Sequence, residues 1–138
     1  MALIVPRQYP GFDQLLFKKI GANMNVTTDQ TLDYLGGELR GLRYFIDRIL
    51  VTNASISLDT AAGGVYNAIT KPAGGIIVAA AQAYSTLTTS TVGLDLTLTA
   101  LGKAIVEGAA PVFSLTTAQG AAATADILAF GRIMNGQY

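Results

Sequence analysis

Apolar and polar side chains alternate along several short stretches of the chain, and the longest of these covers residues 43–58. Its first part, residues 44–51, is rich in β-branched and aromatic residues and is apolar on both faces, which favours a central strand. Asn53-Ala54 then predicts a bend. The remainder alternates, with Ala54, Ile56 and Leu58 on one face and Ser55, Ser57 and Asp59 on the other. We interpret residues 43–58 as the spine of an antiparallel β-sandwich.

Seven further stretches carry strand patterns. They cover residues 14–20, 27–35, 65–70, 76–81, 94–101, 112–116 and 126–134. Two of them also allow a helix, because residues 14–20 fit neither period well and the alanines after Ile77 are good helix formers. Between these stretches we expect turns or loops at 36–37, 59–64, 71–75 and 85–91, and either a turn of helix or a loop at 102–107.

About eight short strands separated by Gly- or Asn-containing turns predict an all-β fold, an antiparallel β-sandwich or a jelly-roll-like arrangement. Helices do not alternate with the strands, which disfavours a parallel α/β sheet. At 138 residues the chain is long enough for one domain. We therefore predict a single β-sandwich domain over residues 14–138, preceded by an arm.

That arm is the extended N-terminal segment 1–13, with the sequence MALIVPRQYPGFD. Its two prolines fix φ and remove backbone donors, so we expect neither a helix nor a central strand. Its apolar side chains are costly to leave in water, so the arm either folds back on its own core or reaches a neighbouring subunit. The candidate contact residues are Leu3, Ile4, Val5, Tyr9 and Phe12.

Charge is scarce and unevenly placed. Charged residues make up 13% of the chain, against about 25% in a typical domain, and residues 1–50 hold eleven of the eighteen. The net charge of zero predicts no nucleic-acid or anionic membrane partner. A surface built from Thr, Ser, Ala and Gly is poorly protected against association. We expect copies of the chain or another partner to cover much of it.

Residue chemistry argues against an enzyme. The chain has no His and no Cys, so a His-based triad, a thiolate and the usual zinc ligands are all missing. A Ser–Lys dyad needs one of Lys18, Lys19, Lys71 or Lys103 beside a serine, and neither G-x-S-x-G nor a phosphate-binding loop occurs. Asp29 and Asp33 on one strand lie about 13 Å apart, too far for a glycosidase pair. We predict no catalytic residue, no cofactor and no metal site.

Asp47 and Arg48 are the charges inside the central strand, and the two-residue period predicts that they point to opposite faces. A charge on an apolar face needs a partner. One interpretation gives each a cross-strand partner such as Arg43 or Asp33. The other places them in a salt bridge between subunits.

Met1 to Val5 is too short for a secretory signal, and the longest apolar run elsewhere, residues 73–81, is too short to span a bilayer. We therefore expect synthesis in the cytoplasm and no membrane contact.

Several segments resemble sequences that recur in small phage-encoded virion proteins. They are ILVTNASISL at 49–58 followed by TAAGGVY at 60–66, LDLTL at 94–98, and FSLTTAQGAAATAD at 113–126, which is similar to that group's C-terminal strand pair. The resemblance covers roughly residues 23–133 and leaves out the arm. It is a pattern of strands and turns, so it carries over no functional residue.

This resemblance implies a head decoration or accessory capsid protein, made in the host cytoplasm and carried on the virion. We expect a homo-oligomer, with a trimer favoured, that binds the major capsid protein or other virion proteins and stabilises the shell by bridging capsomers. The alternative is a receptor- or carbohydrate-binding module of a fibre, spike or tail. Its candidate residues are Tyr9, Tyr34, Tyr44, Tyr66, Tyr84 and Tyr138.

Overall fold

Two antiparallel β-sheets, curled into a half-barrel, make up the computed structural model, which describes residues 14–100 and 104–134. The predicted all-β, sandwich-like class is confirmed. The described residues form ten strands instead of about eight. They are β1 (Gln14–Asn23), β2 (Gln30–Thr31), β3 (Asp33–Tyr34), β4 (Arg43–Thr52), β5 (Ala62–Tyr66), β6 (Ile76–Val78), β7 (Leu94–Asp95), β8 (Val106–Glu107), β9 (Val112–Thr117) and β10 (Thr124–Ile133).

The larger sheet has the order β3-β1-β10-β4-β7, and β8 also pairs with β4. The smaller sheet has the order β2-β9-β5-β6, and a 3-10 turn at Ala73–Gly75 precedes β6. The three ten-residue strands β1, β10 and β4 lie side by side and form the body of the larger sheet. The strand interpretation of residues 14–20 and 76–81 is therefore confirmed over the helix alternative, although β6 is only three residues long.

Strand β10 illustrates how the pattern of side chains builds the core. Ala125, Ile127, Ala129 and Gly131 are buried, while the residues between them are half-exposed. This is the alternation expected of a strand with one face on the core, and it confirms the predicted strand at 126–134. The core contains large side chains from both sheets, among them Phe17, Tyr44, Tyr84 and Phe113, all 0% exposed. Each such side chain contributes about 1.5–3 kcal/mol by burial.

The central stretch is shorter than predicted. Strand β4 ends at Thr52, and Asn53 adopts a left-handed backbone conformation (φ 58), which asparagine tolerates better than most residues. The predicted bend is thus confirmed. Residues 54–58 are not a strand. Their apolar positions are not equivalent either, since Leu58 is fully buried and Ile56 is 40% exposed.

Two predicted long strands are instead segments that pass from one sheet to the other. Residues 27–35 form β2 in the smaller sheet and β3 in the larger, with the buried Leu32 between them. Of the predicted strand 94–101, residues 94–95 form β7 beside β4, and Leu98 then makes a bridge to Val78 of β6. Corner segments of this kind keep the two-residue alternation while changing their pairing partner, so periodicity alone cannot separate them from one continuous strand.

The predicted loop at 59–64 is wrong in its second half. Gly63 and Gly64 belong to β5, where they pair with Leu115 and Ser114 of β9. An added Cβ at Gly63 would meet the Cα of Leu115, and one at Gly64 would meet the carbonyl oxygen of Val78. The two glycines therefore allow close approach of neighbouring backbones. Of the uncertain segment 102–107, residues 106–107 form β8. Within the part of the chain that is described, no helix has the length and apolar character needed to cross a bilayer.

Candidate functional site

The predicted contact residues of the arm, Leu3, Ile4, Val5, Tyr9 and Phe12, lie outside the described residues. The prediction for them stays a prediction. The structure does show where the arm joins the domain, because β1 begins at Gln14, opposite Gly131 near the end of β10.

Asp47 and Arg48 do not point to opposite faces, and that prediction is wrong. Arg48 pairs with Phe130 and Ile46 pairs with Gly131, so Asp47 is an extra residue in a β-bulge. A bulge shifts the alternation by one residue. Asp47 and Arg48 therefore both lie on the outer side of the larger sheet, between the buried Ile46 and Ile49.

Both charges have partners within the chain. Arg48 Nε donates to Asp95 Oδ1 at 2.6 Å, and this hydrogen bond raises the pKa of the Arg48 guanidinium. Asp47 Oδ2 lies 3.8 Å from Arg132 Nε on the neighbouring strand β10. Asp33 is not adjacent to either residue, because β1 and β10 separate β3 from β4. Cross-strand partners thus account for both charges in one chain, and a salt bridge between subunits stays a prediction.

A second polar cluster joins three residues that are far apart in sequence: Asp29, Lys71 and Ser114. Lys71 Nζ lies 2.9 Å from Asp29 Oδ1 and 3.4 Å from Ser114 Oγ, and Ser114 Oγ donates to Asp29 Oδ1 at 2.8 Å. These hydrogen bonds, with that from Lys71 the strongest influence, lower the pKa of the Asp29 carboxyl. No sequence motif predicts this cluster. Lys71 is one of the four lysines that a Ser–Lys dyad could use, but the sequence does not indicate which serine lies beside it.

The chemistry of this cluster favours a structural role. A serine nucleophile needs a base that takes its proton, whereas the carboxylate with a lowered pKa is a weak base and Lys71 is engaged as an ammonium donor. Lys71 also has a left-handed backbone conformation (φ 51) in the turn before β6. The cluster ties that turn to β9 and to the segment before β2. Among the described residues there is also no group of three acidic, His or Cys side chains that could hold a metal ion.

Large apolar side chains remain exposed at the end of the larger sheet where β1 begins. Leu35 is 44% exposed, Ile133 is 39% and Met134 is 40%. We call these three residues the apolar rim. Leu35 and Ile133 lie together in the wall of one pocket, whereas Met134 is the next residue along the chain and is not part of that wall. Leu35 N donates to Leu16 O of β1, and Met134 N donates to Arg43 O of β4.

A pocket of about 200 Å³ opens in the apolar rim. Its walls come from the first residues of β1, the end of β3 and the end of β10. The lining residues are Gln14, Leu15, Leu16, Tyr34, Leu35, Gly36 and Ile133. None of them is charged, and the volume lies below the roughly 300–1,000 Å³ typical of small-molecule sites.

Aromatic rings pack behind the pocket. The Tyr34 ring lies 5.2 Å from the Phe17 ring, which in turn lies 4.8 Å from Tyr44. Burial raises the pKa of the Tyr44 phenol, whose hydroxyl donates to Ala109 O at 2.6 Å. Gly36 passes so close to Tyr34 that a side chain there would meet the ring. Core rings and the Tyr34–Gly36 contact therefore form the back wall of the pocket.

The tyrosines proposed for sugar binding do not form an exposed platform. Tyr44, Tyr66 and Tyr84 are buried, and Tyr34 is half-buried in the pocket wall. Tyr9 and Tyr138 lie outside the described residues. Comparison with known proteins adds no identity, because no family, no curated protein and no solved structure matches the chain.

Proposed function

We propose that the protein is a virion structural component that self-associates, with a trimer favoured, and binds the outer surface of a phage capsid. It stabilises the shell by bridging the major capsid protein or other virion proteins of neighbouring capsomers. The observation that carries this proposal is the neutral pocket at the end of the larger sheet, whose wall includes the exposed Leu35 and Ile133. Contiguous apolar surface on a small domain is typical of a protein–protein contact site.

The distribution of charge supports the same proposal. Three of the six described charged side chains from Asp59 to Arg132 form ion pairs within the chain: Lys71 with Asp29, Asp95 with Arg48 and Arg132 with Asp47. Only seven of residues 51–138 are charged, so most of the surface that they form is neutral. Neutral, weakly hydrated surface is inexpensive to desolvate on contact with a shell, since the largest penalties in binding come from charged groups.

The resemblance to small phage virion proteins supports the phage capsid as the binding partner. The described geometry supports the apolar rim as a contact surface. Bridging two capsomers needs at least two contact surfaces on each copy or oligomer, and we propose the apolar rim as one of them. The carbohydrate-binding alternative has less support, because it needs exposed aromatic rings and three of the six tyrosines are in the core.

The test combines solution mass with binding to shells. We expect light scattering to give an oligomer and co-sedimentation with empty capsids to give saturable binding that raises the temperature at which the shells disassemble. Ile133→Asp should weaken both properties, because it places a charge in the apolar rim. Ile56→Asp is the matched control, since Ile56 and Ile133 are almost equally exposed. A wild-type monomer that ignores the shells would contradict the proposal.

A further inference from the structure

The side of the larger sheet that faces away from the core is apolar at its centre. Along β10 the residues between the buried positions are Asp126, Leu128, Phe130 and Arg132, and all four are half-exposed. Residues directly opposite each other on neighbouring strands share a face, so their apolar partners on β1 and β4 point outward too. We call the outer face the surface formed by Leu15, Phe45, Leu50, Leu128 and Phe130. Because the solvated side of an antiparallel sheet is normally polar, this apolar face indicates a contact surface.

Arginine side chains lie over both rings of the outer face. The Arg48 guanidinium lies 5.6 Å from the centre of the Phe130 ring, and that of Arg132 lies 5.8 Å from the centre of the Phe45 ring. Arginine and aromatic residues are enriched in protein–protein interfaces. The outer side of a curled sheet is convex, whereas small molecules bind in concave sites. The outer face therefore fits a protein partner.

The order of the side chains along β10 identifies that partner. Its outward positions have an acidic residue at one end, two apolar residues in the middle and a basic residue at the other end. A second β10 laid antiparallel across the first places Asp126 opposite Arg132 and Leu128 opposite Phe130, and two-fold symmetry repeats each contact. A parallel arrangement would place like charges opposite each other. We propose that the outer faces of two copies of this chain pack together about a two-fold axis, with their β10 strands antiparallel.

The two end charges can form this contact and keep their partners within the chain. Asp126 accepts from Gly21 N through Oδ1 and from Asn53 Nδ2 through Oδ2, and each carboxylate oxygen can accept a second hydrogen bond. Arg132 has five N–H donors. Its side chain is 40% exposed, although Asp47 Oδ2 lies 3.8 Å from its Nε. The contact between copies therefore adds ion pairs without breaking those already present.

The size of the outer face indicates how strong the pairing is. Three ten-residue strands, about 4.8 Å apart and rising about 3.3 Å per residue, present roughly 475 Å² on each copy. The pair buries about 950 Å² in total, less than the roughly 1,200–2,000 Å² of stable complexes. We therefore expect reversible pairing that depends on concentration. The inference rests on the proposed function and deepens it, because the outer face is a second contact surface of the kind that bridging needs.

Charge reversal at the two ends of β10 tests the arrangement. Two full-length variants with different tags, Asp126→Lys and Arg132→Glu, are mixed and isolated through one tag. In a mixed pair both end contacts join opposite charges, whereas each variant paired with itself has like charges at both ends. Each variant is therefore also mixed with a copy of itself that carries the other tag. We expect the mixed pair to exceed both controls by roughly tenfold or more.

Equal exchange in all three mixtures would overturn the inference, and that result is expected if another segment of the same chain covers the outer face. Exchange through any other surface, including the apolar rim, contributes equally to the three mixtures. A wild type that keeps one odd-numbered mass, monomer or trimer, at every concentration would also overturn it. Sedimentation over micromolar to high micromolar concentrations measures that mass.

A second pair of variants covers the case in which Asp126→Lys does not fold because Gly21 N loses its acceptor. Leu128→Asp places a charge at the centre of the outer face and should lower the association constant by tenfold or more. Ile69→Asp is the control, because Ile69 is 64% exposed in the connection between β5 and β6. Equal association of these two variants would overturn the inference.

These results separate the inference from the proposed function. Selective pairing of the charge-reversed variants without any binding to shells would support the inference and remove the capsid role. Shell binding by a protein whose charge-reversed variants show no selective pairing would overturn the inference and leave the capsid role standing.

Discussion

The two ends of β10 differ in how the larger sheet is completed. At the Thr124 end, Asp126 accepts hydrogen bonds from Gly21 N at 2.8 Å and from Asn53 Nδ2 at 3.1 Å, and Thr124 N donates to Ser55 Oγ at 2.9 Å. At the Ile133 end, large apolar side chains surround an open pocket. Apolar side chains are exposed at both ends, since Ile20 is 58% and Ile56 is 40% exposed near the Thr124 end. The ends differ in that polar side chains of the same chain complete the Thr124 end, whereas a neutral pocket lies at the Ile133 end.

The polar end is stabilised further by Gln119, one of the few buried polar side chains. Its Oε1 accepts from Thr60 N and Ala61 N, both at 3.0 Å, and its Nε2 donates to Asp59 Oδ1 at 2.6 Å. Backbone groups at that end thus have partners without any second molecule. The comparison shows that polar side chains of the same chain satisfy backbone groups at the Thr124 end, whereas the Ile133 end has a pocket with no charged lining residue.

The largest expected effect concerns the bulge that shapes the open end. Gly131→Ala places a Cβ against the carbonyl oxygen of Phe45 and close to Ile46 Cα, so β10 and β4 must separate or shift. We expect a loss of about 3 kcal/mol in the free energy of unfolding, measured by urea denaturation. Gly37→Ala is the control, because nothing lies within 4 Å of its added Cβ. Equal stability of the two variants would show that the bulge is not constrained in this way.

A smaller effect on the free energy of unfolding is expected when glutamine is replaced by leucine at each of the two ends. Gln119→Leu removes three hydrogen bonds and leaves the buried amide of Ala61 without its acceptor, which we expect to cost about 2 kcal/mol. Gln14→Leu at the open end should change stability by no more than about 0.5 kcal/mol, since Gln14 is exposed. Thermal unfolding of both variants measures the difference. If the Gln14 variant were the more destabilised, the comparison would fail.

The smallest effect is a dependence on pH at the polar end. The hydrogen bond from Gln119, helped by that from Thr60, lowers the pKa of the Asp59 carboxyl. Because the pKa of Asp59 is lowered in the folded state, its ionised carboxylate stabilises the fold at pH values above the unfolded pKa of about 3.9. This stabilisation is lost as the pH falls through the lower pKa of the folded state. We expect the free energy of unfolding of Asp59→Asn to fall less steeply below about pH 4 than that of the wild type.

Urea midpoints measured across the acid range test this expectation. Gln119→Leu should flatten the same part of the curve, because it removes the main cause of the shift. A pH dependence identical to that of the wild type in both variants would contradict the assignment.

The fold class was predictable because long strands with one buried face leave a clear two-residue pattern. Strand β10 and the start of β4 show it well. The pattern does not predict where the chain passes from one sheet to the other, as it does at Leu32 and Leu98. The alternation of buried and exposed side chains continues through such a corner. Nor could it give the extra residue at Asp47, since a bulge depends on the pairing with Gly131 on a strand more than eighty residues away.

The candidate site was predictable only in part. The sequence indicated an apolar N-terminal segment in need of a partner, but it gave no sign of the pocket, which is assembled from β1, the end of β3 and the end of β10. The cluster of Asp29, Lys71 and Ser114 was missed for the same reason. Contacts of this kind arise from tertiary packing between segments that are distant in sequence, and local sequence patterns do not predict them.

The row of rings behind the pocket has an optical consequence. The chain contains no tryptophan, so its near-ultraviolet emission comes from tyrosine. Tyr34 is at once a wall of the pocket and a neighbour of Phe17. Any side chain that displaces water from that ring changes its surroundings, and the unlabelled protein therefore carries its own reporter of whether the pocket is filled.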